Sequence, residues 1–102
     1  MAEQMIIKKS YTLAVGEEVN TGWYSYGVYA IRTTSNGQIA IFTIGAYPES
    51  TGILGDANTF TGDYESTSSK LFVGRKVTND AIFIKNISTI TRVVDIVKIF
   101  SF

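Results

Sequence analysis

Residues 36–47 constrain the fold more than any other stretch of the chain. They open with Asn36-Gly37, the dipeptide that best suits a two-residue hairpin turn, because both turn positions must tolerate a positive φ. Residues 39–44 follow and are apolar on both faces of an extended chain. Ile39 and Ile41 lie on one face, and the other carries Ala40, Phe42 and Ile44. A strand that is apolar on both sides is covered on both sides, so the stretch predicts a central strand.

Length and composition indicate an all-β domain around this strand. The chain has 102 residues, which is enough for one domain and too few for two separate cores. Aromatic residues reach 13% and isoleucine outnumbers leucine roughly fourfold, a bias that suits a pleated surface. We predict one small antiparallel β-sandwich, jelly-roll-like, with about seven or eight strands over residues 1–102. Residues 1–5 are expected to be flexible.

Residues 27–33 are the predicted hairpin partner of residues 38–44. Pairing across the turn places Tyr29 and Ile31 near Phe42 and its neighbours, and such aromatic and β-branched pairs stabilise antiparallel strands. Other segments with strand character are residues 11–15, 71–73 and 81–85, and residues 19–22 are predicted to form a bend.

The C-terminal segment, residues 87–102, has two interpretations. Ile87, Ile90 and Val94 recur at helical spacing, with charged residues on the opposite side. Nearly every uncharged residue between 87 and 99 is β-branched, however, and no alanine, leucine or glutamate favours a helix there. A strand is therefore the preferred interpretation.

Residues 45–70 differ in composition from the rest of the chain. Gly, Ser, Thr, Asp and Asn dominate, and the segment holds the single proline, Pro48. These residues favour turns, so a long loop is predicted. Apolar positions such as Phe60 and Tyr64 indicate that part of this loop is packed, with short strands near residues 59–64. Long loops in compact domains are often functional.

Several classes of function are disfavoured by what the sequence lacks. The net charge is zero and the pI is about 6.2, so no basic face indicates a nucleic-acid partner. The chain has no cysteine and no histidine, which removes the commonest nucleophile, general base and zinc ligands. No apolar run is long enough to span a bilayer, and the N-terminus does not resemble a signal peptide. A membrane-inserted protein and a bound cofactor are not expected.

Carboxylates cluster only in the predicted loop, at Asp56, Asp63 and Glu65 with Asn58 nearby. Two carboxylates can hydrolyse a glycosidic bond, but a small polar loop offers no deep cleft, so the chain is not expected to be an enzyme. Oxygen ligands at this spacing also suggest calcium. Phe60 stands where an EF-hand needs an acid or amide, so turn formation is preferred and no metal is expected.

A sugar site is the other interpretation of this loop. Such sites need a few placed polar groups beside an apolar platform. The candidate ligand residues share a position in or beside the polar loop: Asp56, Asn58, Phe60, Asp63 and Tyr64. For the more distant aromatics Trp23 and Tyr24, packing between sheets or between subunits is preferred.

The strands together resemble a known group of proteins. An aromatic-Gly-Val-Tyr-Ala-Ile segment, a Gly-Gln-Ile-Ala-Ile-Phe segment and a terminal Val-Asp-Ile-Val-Lys-Ile segment lie in a chain without cysteine or histidine. This pattern is similar to that of the compact β-sandwich domains of bacteriophage virion proteins, such as tail-fibre tips, receptor-binding heads and capsid fibres. The resemblance implies a virion location, a homotrimer or similar assembly with other virion proteins, and contact with a host-surface glycan.

Apolar surface in excess of one core also predicts an oligomer. Residues 39–44, 71–73 and 93–99 are apolar on both faces, and one small sandwich interior is not expected to cover them all. The candidate interface residues are large and aromatic: Trp23, Tyr24, Phe42 and Phe100. A free-standing carbohydrate-binding module or lectin is the alternative function.

Overall fold

The computed structural model describes residues 7–34, 37–66 and 68–102, and these form an all-β sandwich, as predicted. The predicted flexibility of residues 1–5 lies outside the described residues. Nine strands are present in the described part of the chain: β1 (Lys8–Leu13), β2 (Glu18–Asn20), β3 (Gly27–Thr33), β4 (Ile39–Ile44), β5 (Gly52–Gly55), β6 (Phe60–Thr61), β7 (Leu71–Arg75), β8 (Ile82–Asn86) and β9 (Arg92–Ser101). A short 3₁₀ turn spans Pro48–Ser50, and no helix in these ranges is long and apolar enough to cross a membrane.

The strands form two sheets. One has five strands in the order β1-β9-β3-β4-β5, and the other has four in the order β2-β8-β7-β6. Every pair is antiparallel except β6 with β7, which is parallel. The pairs β1–β9 and β2–β8 join the two ends of the chain, the nested arrangement of a jelly roll. The hairpin neighbours β3 and β4 depart from the jelly-roll arrangement, because both remain in one sheet.

The predicted β3–β4 hairpin is present, but its turn is longer than two residues. Tyr29 lies opposite Phe42, as expected. The Thr33 N–H donates to the carbonyl of Gln38 at 3.0 Å, so four residues connect the strands and the two-residue prediction was wrong. Gly37 does adopt a positive φ of 66°, because a longer loop also closes through a left-handed residue. Asn36 lies outside the described residues.

Strand β4 is an interior strand of the five-stranded sheet, as predicted, but it is not the middle one and only one of its faces is buried. The middle strand of the five is β3, and β4 lies between it and the edge strand β5. Strand β5 comes from the segment predicted to be a long loop, which also contains β6. The short strand expected near residues 59–64 is confirmed by β6. The loop prediction was wrong at β5, because pairing with β4 supplies strand structure that local composition does not encode.

The C-terminal segment is a strand over Arg92–Ser101, so the preferred interpretation is confirmed there. Strand β9 pairs with both β1 and β3, and a register shift between Val28 and Tyr29 leaves Ile99 as an extra residue. Residues 19–22 were predicted to bend, but Glu18–Asn20 forms β2 on the edge of the smaller sheet.

The core lies between the two sheets and follows the alternation of each strand. The five-stranded sheet buries alternate residues of β3 and β4, including Tyr29, Ile31 and Phe42. The four-stranded sheet buries Ile82 and Ile84 of β8 against them. Asn86 ends this strand and is also buried, where its amide donates to the carbonyls of Leu13 and Ile90. This single side chain thereby links β8 to the end of β1.

Candidate functional site

The acidic residues of the predicted ligand loop stabilise turns. Asp56 accepts hydrogen bonds from the N–H groups of Asn58 and Thr59 at 3.0 and 3.1 Å, and from the Thr59 hydroxyl. Asp63 accepts one from the Glu65 N–H at 3.0 Å. No group of three acidic side chains suited to a metal ion occurs among the described residues. The preferred interpretation, that these residues make turns, is confirmed for Asp56 and Asp63.

Phe60 and Tyr64 do not form a free stacking platform. Phe60 is fully buried and meets Phe42 edge to face at 6.5 Å between ring centroids, so its prediction as a ligand residue was wrong. Tyr64 packs edge to face on Phe72 at 5.2 Å. Its ring lies 4.8 Å from the Lys85 ammonium, and its hydroxyl donates to Glu18. Tyr64 therefore covers the outer side of the four-stranded sheet.

A salt bridge completes this cover. The Lys76 ammonium lies 2.7 Å from Glu18 and 4.3 Å from the centroid of the Phe83 ring. The hydrogen bond from Lys76 holds the pKa of Glu18 below its ordinary value, and burial opposes that effect. A hollow of about 490 Å³ lies beside Tyr64, with Glu49, Asp63, Glu65 and Lys76 in its lining. Of the predicted ligand residues, Asp63 and Tyr64 line this hollow.

The predicted interface residues divide into two buried and two exposed side chains. Phe42 is fully buried in the core and Trp23 is 7% exposed, with its ring beneath the ammonium groups of Lys9 and Lys98. Both were wrong as interface residues, because the sandwich of one chain already covers them, and Trp23 instead packs in the core, the other interpretation preferred for it. Tyr24 and Phe100 are exposed and remain available to a partner.

The outer side of the five-stranded sheet carries apolar residues that are exposed or half-buried. Strand register aligns four apolar residues in one row across β9, β3, β4 and β5: Val97, Ala30, Ile41 and Leu54. Ile39 lies beside this row, on the same face of β4 as Ile41. Ile39 is 55% exposed and Leu54 is 66% exposed. We call these five residues the open face. Contiguous apolar surface of this kind on a small domain commonly marks an interaction site.

One charged cluster borders the open face. Asp95 accepts a hydrogen bond from the Ser10 hydroxyl and lies 3.0 Å from the Arg32 guanidinium. These contacts, led by the Ser10 hydrogen bond, hold the pKa of Asp95 below its ordinary value. A carboxylate whose pKa is lowered in this way is a weaker general base. The cluster ties β1, β9 and β3 together beside the open face.

Exposed aromatic side chains collect at one end of the sandwich. There β3 begins, β4 and β9 end, and the adjoining loops carry further rings. The exposed members are Tyr24, Tyr26, Tyr47, Phe100 and Phe102. We call this end the aromatic pole. At the opposite end, where β1 ends and β4 begins, the exposed large apolar residues of the described chain are aliphatic, such as Val15 and Ile90.

Arg75 holds the aromatic pole together, and the sequence analysis did not identify it. It is fully buried, and its guanidinium donates hydrogen bonds to the backbone carbonyls of Gly45, Asp80 and Tyr24. These carbonyls belong to three different loops between strands. The guanidinium lies 5.4 Å from the centroid of the Tyr26 ring. No local pattern marks this role, because the three carbonyls converge only after the sheets have formed.

Comparison of the chain with protein-family models, with curated proteins and with solved structures found no significant match. The open face and the aromatic pole are therefore interpreted from their own residues.

Proposed function

We propose that this chain is a non-enzymatic structural or host-receptor-binding component of a bacteriophage virion, and that it assembles as a homo-oligomer. The observation that supports assembly most directly is the open face. The resemblance of the strand sequences to phage virion sandwiches supports the virion location, and a trimer is the expected assembly.

The outer face of the five-stranded sheet, of which the open face is the apolar part, is comparable in size to one side of a standard interface. Five strands spaced about 4.8 Å apart, with about six residues each, make a face of roughly 24 by 20 Å. A standard protein interface buries about 800 Å² on each partner. The side chains of Ile39, Ile41 and Leu54 project from this face and add to its area. One face of the sheet is thus of the order of one side of a standard interface.

A second copy of the chain is the occupant that suits the open face best. Its five residues are apolar, and Lys8 borders them beside Val97, so a matching partner must present an apolar surface of similar extent. Another copy carries the same face, and the Arg32–Asp95 pair at its border is internally neutralised. A symmetric assembly therefore buries apolar area without leaving an unpaired charge of this pair in the contact.

Light scattering coupled to size-exclusion chromatography tests the assembly. The chain has a mass of 11.2 kDa, and the native protein is expected at three times this value. The double variant Ile39→Lys, Leu54→Lys is expected to run as a folded monomer, because burying two ammonium groups is costly. The matched control is Val15→Lys, Val77→Lys, which places the same charges at exposed positions away from the open face and should leave the mass unchanged.

A native protein that remains monomeric at about 100 μM contradicts the assembly, because interfaces of standard size hold well below that concentration. An assembly that survives the open-face variant but not the control places the interface elsewhere. The virion location is tested separately, by mass spectrometry of purified particles from the phage or prophage that encodes the chain. Absence of its peptides from those particles contradicts the virion part of the proposal.

A further inference from the structure

A groove of about 410 Å³ opens at the aromatic pole, and we propose that it binds a neutral pyranose ring of a glycan. This inference rests on the receptor-binding part of the proposed function and assigns it a site and a ligand class. The rings of Tyr26, Phe100 and Phe102 border the groove, and Val28 and Thr43 are in its lining. Its volume falls within the range usual for small-ligand sites.

The aromatic walls are held in place before any ligand arrives. Phe100 and Phe102 meet edge to face at 4.8 Å between centroids, and the Phe102 N–H donates to the Tyr26 carbonyl at 2.9 Å. The Tyr26 hydroxyl donates to Asn79 at 2.8 Å, and the buried Arg75 lies against the Tyr26 ring. Exposed rings that already have partners within the chain provide contact area at a lower cost in conformational entropy.

The charge of the groove favours a neutral ligand. None of the described residues that line it is charged. The positive charge of Arg75 is buried and directed at three backbone carbonyls, so it is not presented to the groove. An anionic sugar, a phosphate or a basic peptide would lose its hydration without gaining an opposite charge. A neutral ligand avoids that loss.

The backbone of the groove favours a sugar over a peptide. Gly27 is paired on both sides, with Ile44 in β4 and with Ser101 in β9. The carbonyl of Gly45 accepts a hydrogen bond from the Arg75 guanidinium. An extended peptide could not pair with β3 here, because both edges of Gly27 are occupied, so its own N–H and C=O groups would lack partners on this strand. A pyranose ring can place its apolar C–H face on an aromatic ring and keep its hydroxyls in water. That combination matches exposed rings beside a strand that is paired on both sides.

The close approach of β9 to β3 at Gly27 shapes the groove. A Cβ built at this position would lie 2.1 Å from the carbonyl oxygen of Phe100. Only glycine allows β9 to run this close to β3, and this approach sets the position of Phe100 beside Tyr26. The groove is consequently a product of the same packing that forms the sandwich.

A glycan array with neutral and sialylated glycans, followed by calorimetry with the best neutral oligosaccharide, tests the site. The native protein is expected to retain neutral glycans. Phe102→Ala and Tyr26→Leu should each weaken binding by about tenfold or more, since a central aromatic contact typically carries that much affinity. The matched control Ile90→Ala changes an exposed apolar residue at the opposite end and should leave affinity unchanged.

Phe102 is 87% exposed, so its replacement removes a ring without disturbing the core. Retention of no neutral glycan, binding of charged glycans alone, or binding unaffected by Phe102→Ala overturns the proposal. So does preference for a proline-rich peptide screened alongside. The mass of each sample is recorded in the same experiment. An assembled protein that retains no glycan overturns the groove alone, whereas a monomer that binds through Phe102 overturns only the homo-oligomer.

Discussion

The outer faces of the two sheets differ in a way that local sequence does not reveal. Strand β7 is buried along its whole length, because Tyr64 and Lys76 lie over the outer side of the four-stranded sheet. Strand β4 exposes Ile39 on the outer side of the five-stranded sheet. Both strands are apolar on both sides in the sequence. The chain covers one sheet with its own loop and leaves the other open.

This difference changes the interpretation of excess apolar residues. One sandwich interior was not expected to cover residues 39–44, 71–73 and 93–99 together. Residues 71–73 are covered within the chain, because the segment that holds Tyr64 covers Phe72. The open face retains its exposed residues after the whole described chain has folded. The open face therefore supports an argument for a second copy, whereas residues 71–73 do not.

The largest expected effect comes from removing a side chain on the covered face. Phe72→Ala should lower the free energy of unfolding by about 3–5 kcal/mol, because the ring is fully buried and leaves a cavity beneath Tyr64. Ile39→Ala on the open face should cost less than about 1 kcal/mol in dilute protein. Urea denaturation measures both.

Measuring both variants at several protein concentrations tests the same difference between the two faces. If a second copy occupies the open face, the loss caused by Ile39→Ala grows with protein concentration, since assembly adds stability by mass action. The loss caused by Phe72→Ala should not depend on the concentration. A concentration-independent loss for both variants would contradict an interface at the open face.

A smaller effect is expected from replacing an arginine, either Arg75 in the interior or Arg32 beside the open face. Arg75→Met should cost about 2–4 kcal/mol, because three buried carbonyls lose their donor. Arg32→Met removes a partly exposed ion pair beside the open face and should cost no more than about 1 kcal/mol. Thermal unfolding compares the two, and equal losses would show that the buried guanidinium has no special role.

The smallest effect is a dependence on acid, to which each outer face contributes one carboxylate. The pKa of Glu18 and the pKa of Asp95 are both lowered, from ordinary values of 4.5 and 3.8. Their stabilisation is complete above those values and is lost as the pH falls through the lowered pKa of the folded protein. Each should contribute less than about 1 kcal/mol.

Urea midpoints between pH 7 and pH 2 measure this dependence. The urea midpoint should decrease as the pH is lowered below about 4.5. Glu18→Gln or Asp95→Asn should remove part of this decrease. Glu49→Gln is the matched control, since Glu49 lines the hollow without the Lys76 contact that lowers the pKa of Glu18. A decline of the same size in all three variants would show that other carboxylates cause it.

Much of the fold could be predicted because strand alternation is a local property. The pairing of β3 with β4, the strand at β8 and the strand over Arg92–Ser101 all follow from β-branched and aromatic residues at a period of two. Strand β5 could not be predicted in this way. Its Gly-Ile-Leu-Gly sequence is short and becomes a strand by pairing with β4.

The candidate site was less predictable than the fold. Tyr24 and Phe100 were predicted as contact residues and are exposed at the aromatic pole. Phe60 was a candidate ligand residue in a loop that was expected to be partly packed, and its ring fills the core beside Phe42. The signal for the aromatic pole was present in the six tyrosines and six phenylalanines, but their convergence depends on residues distant in the chain.

The sequence by itself determined the fold class, because β-branched alternation and the absence of helix-favouring runs leave a sandwich as the compact solution. It also determined that apolar residues would exceed one interior. Only the tertiary structure decided which of them remain exposed. Coverage depends on where the segment with Tyr64 crosses, and Arg75 orders three loops whose carbonyls meet only in the folded chain. Long-range contacts of this kind have no local signature, so the open face and the aromatic pole emerge only on folding.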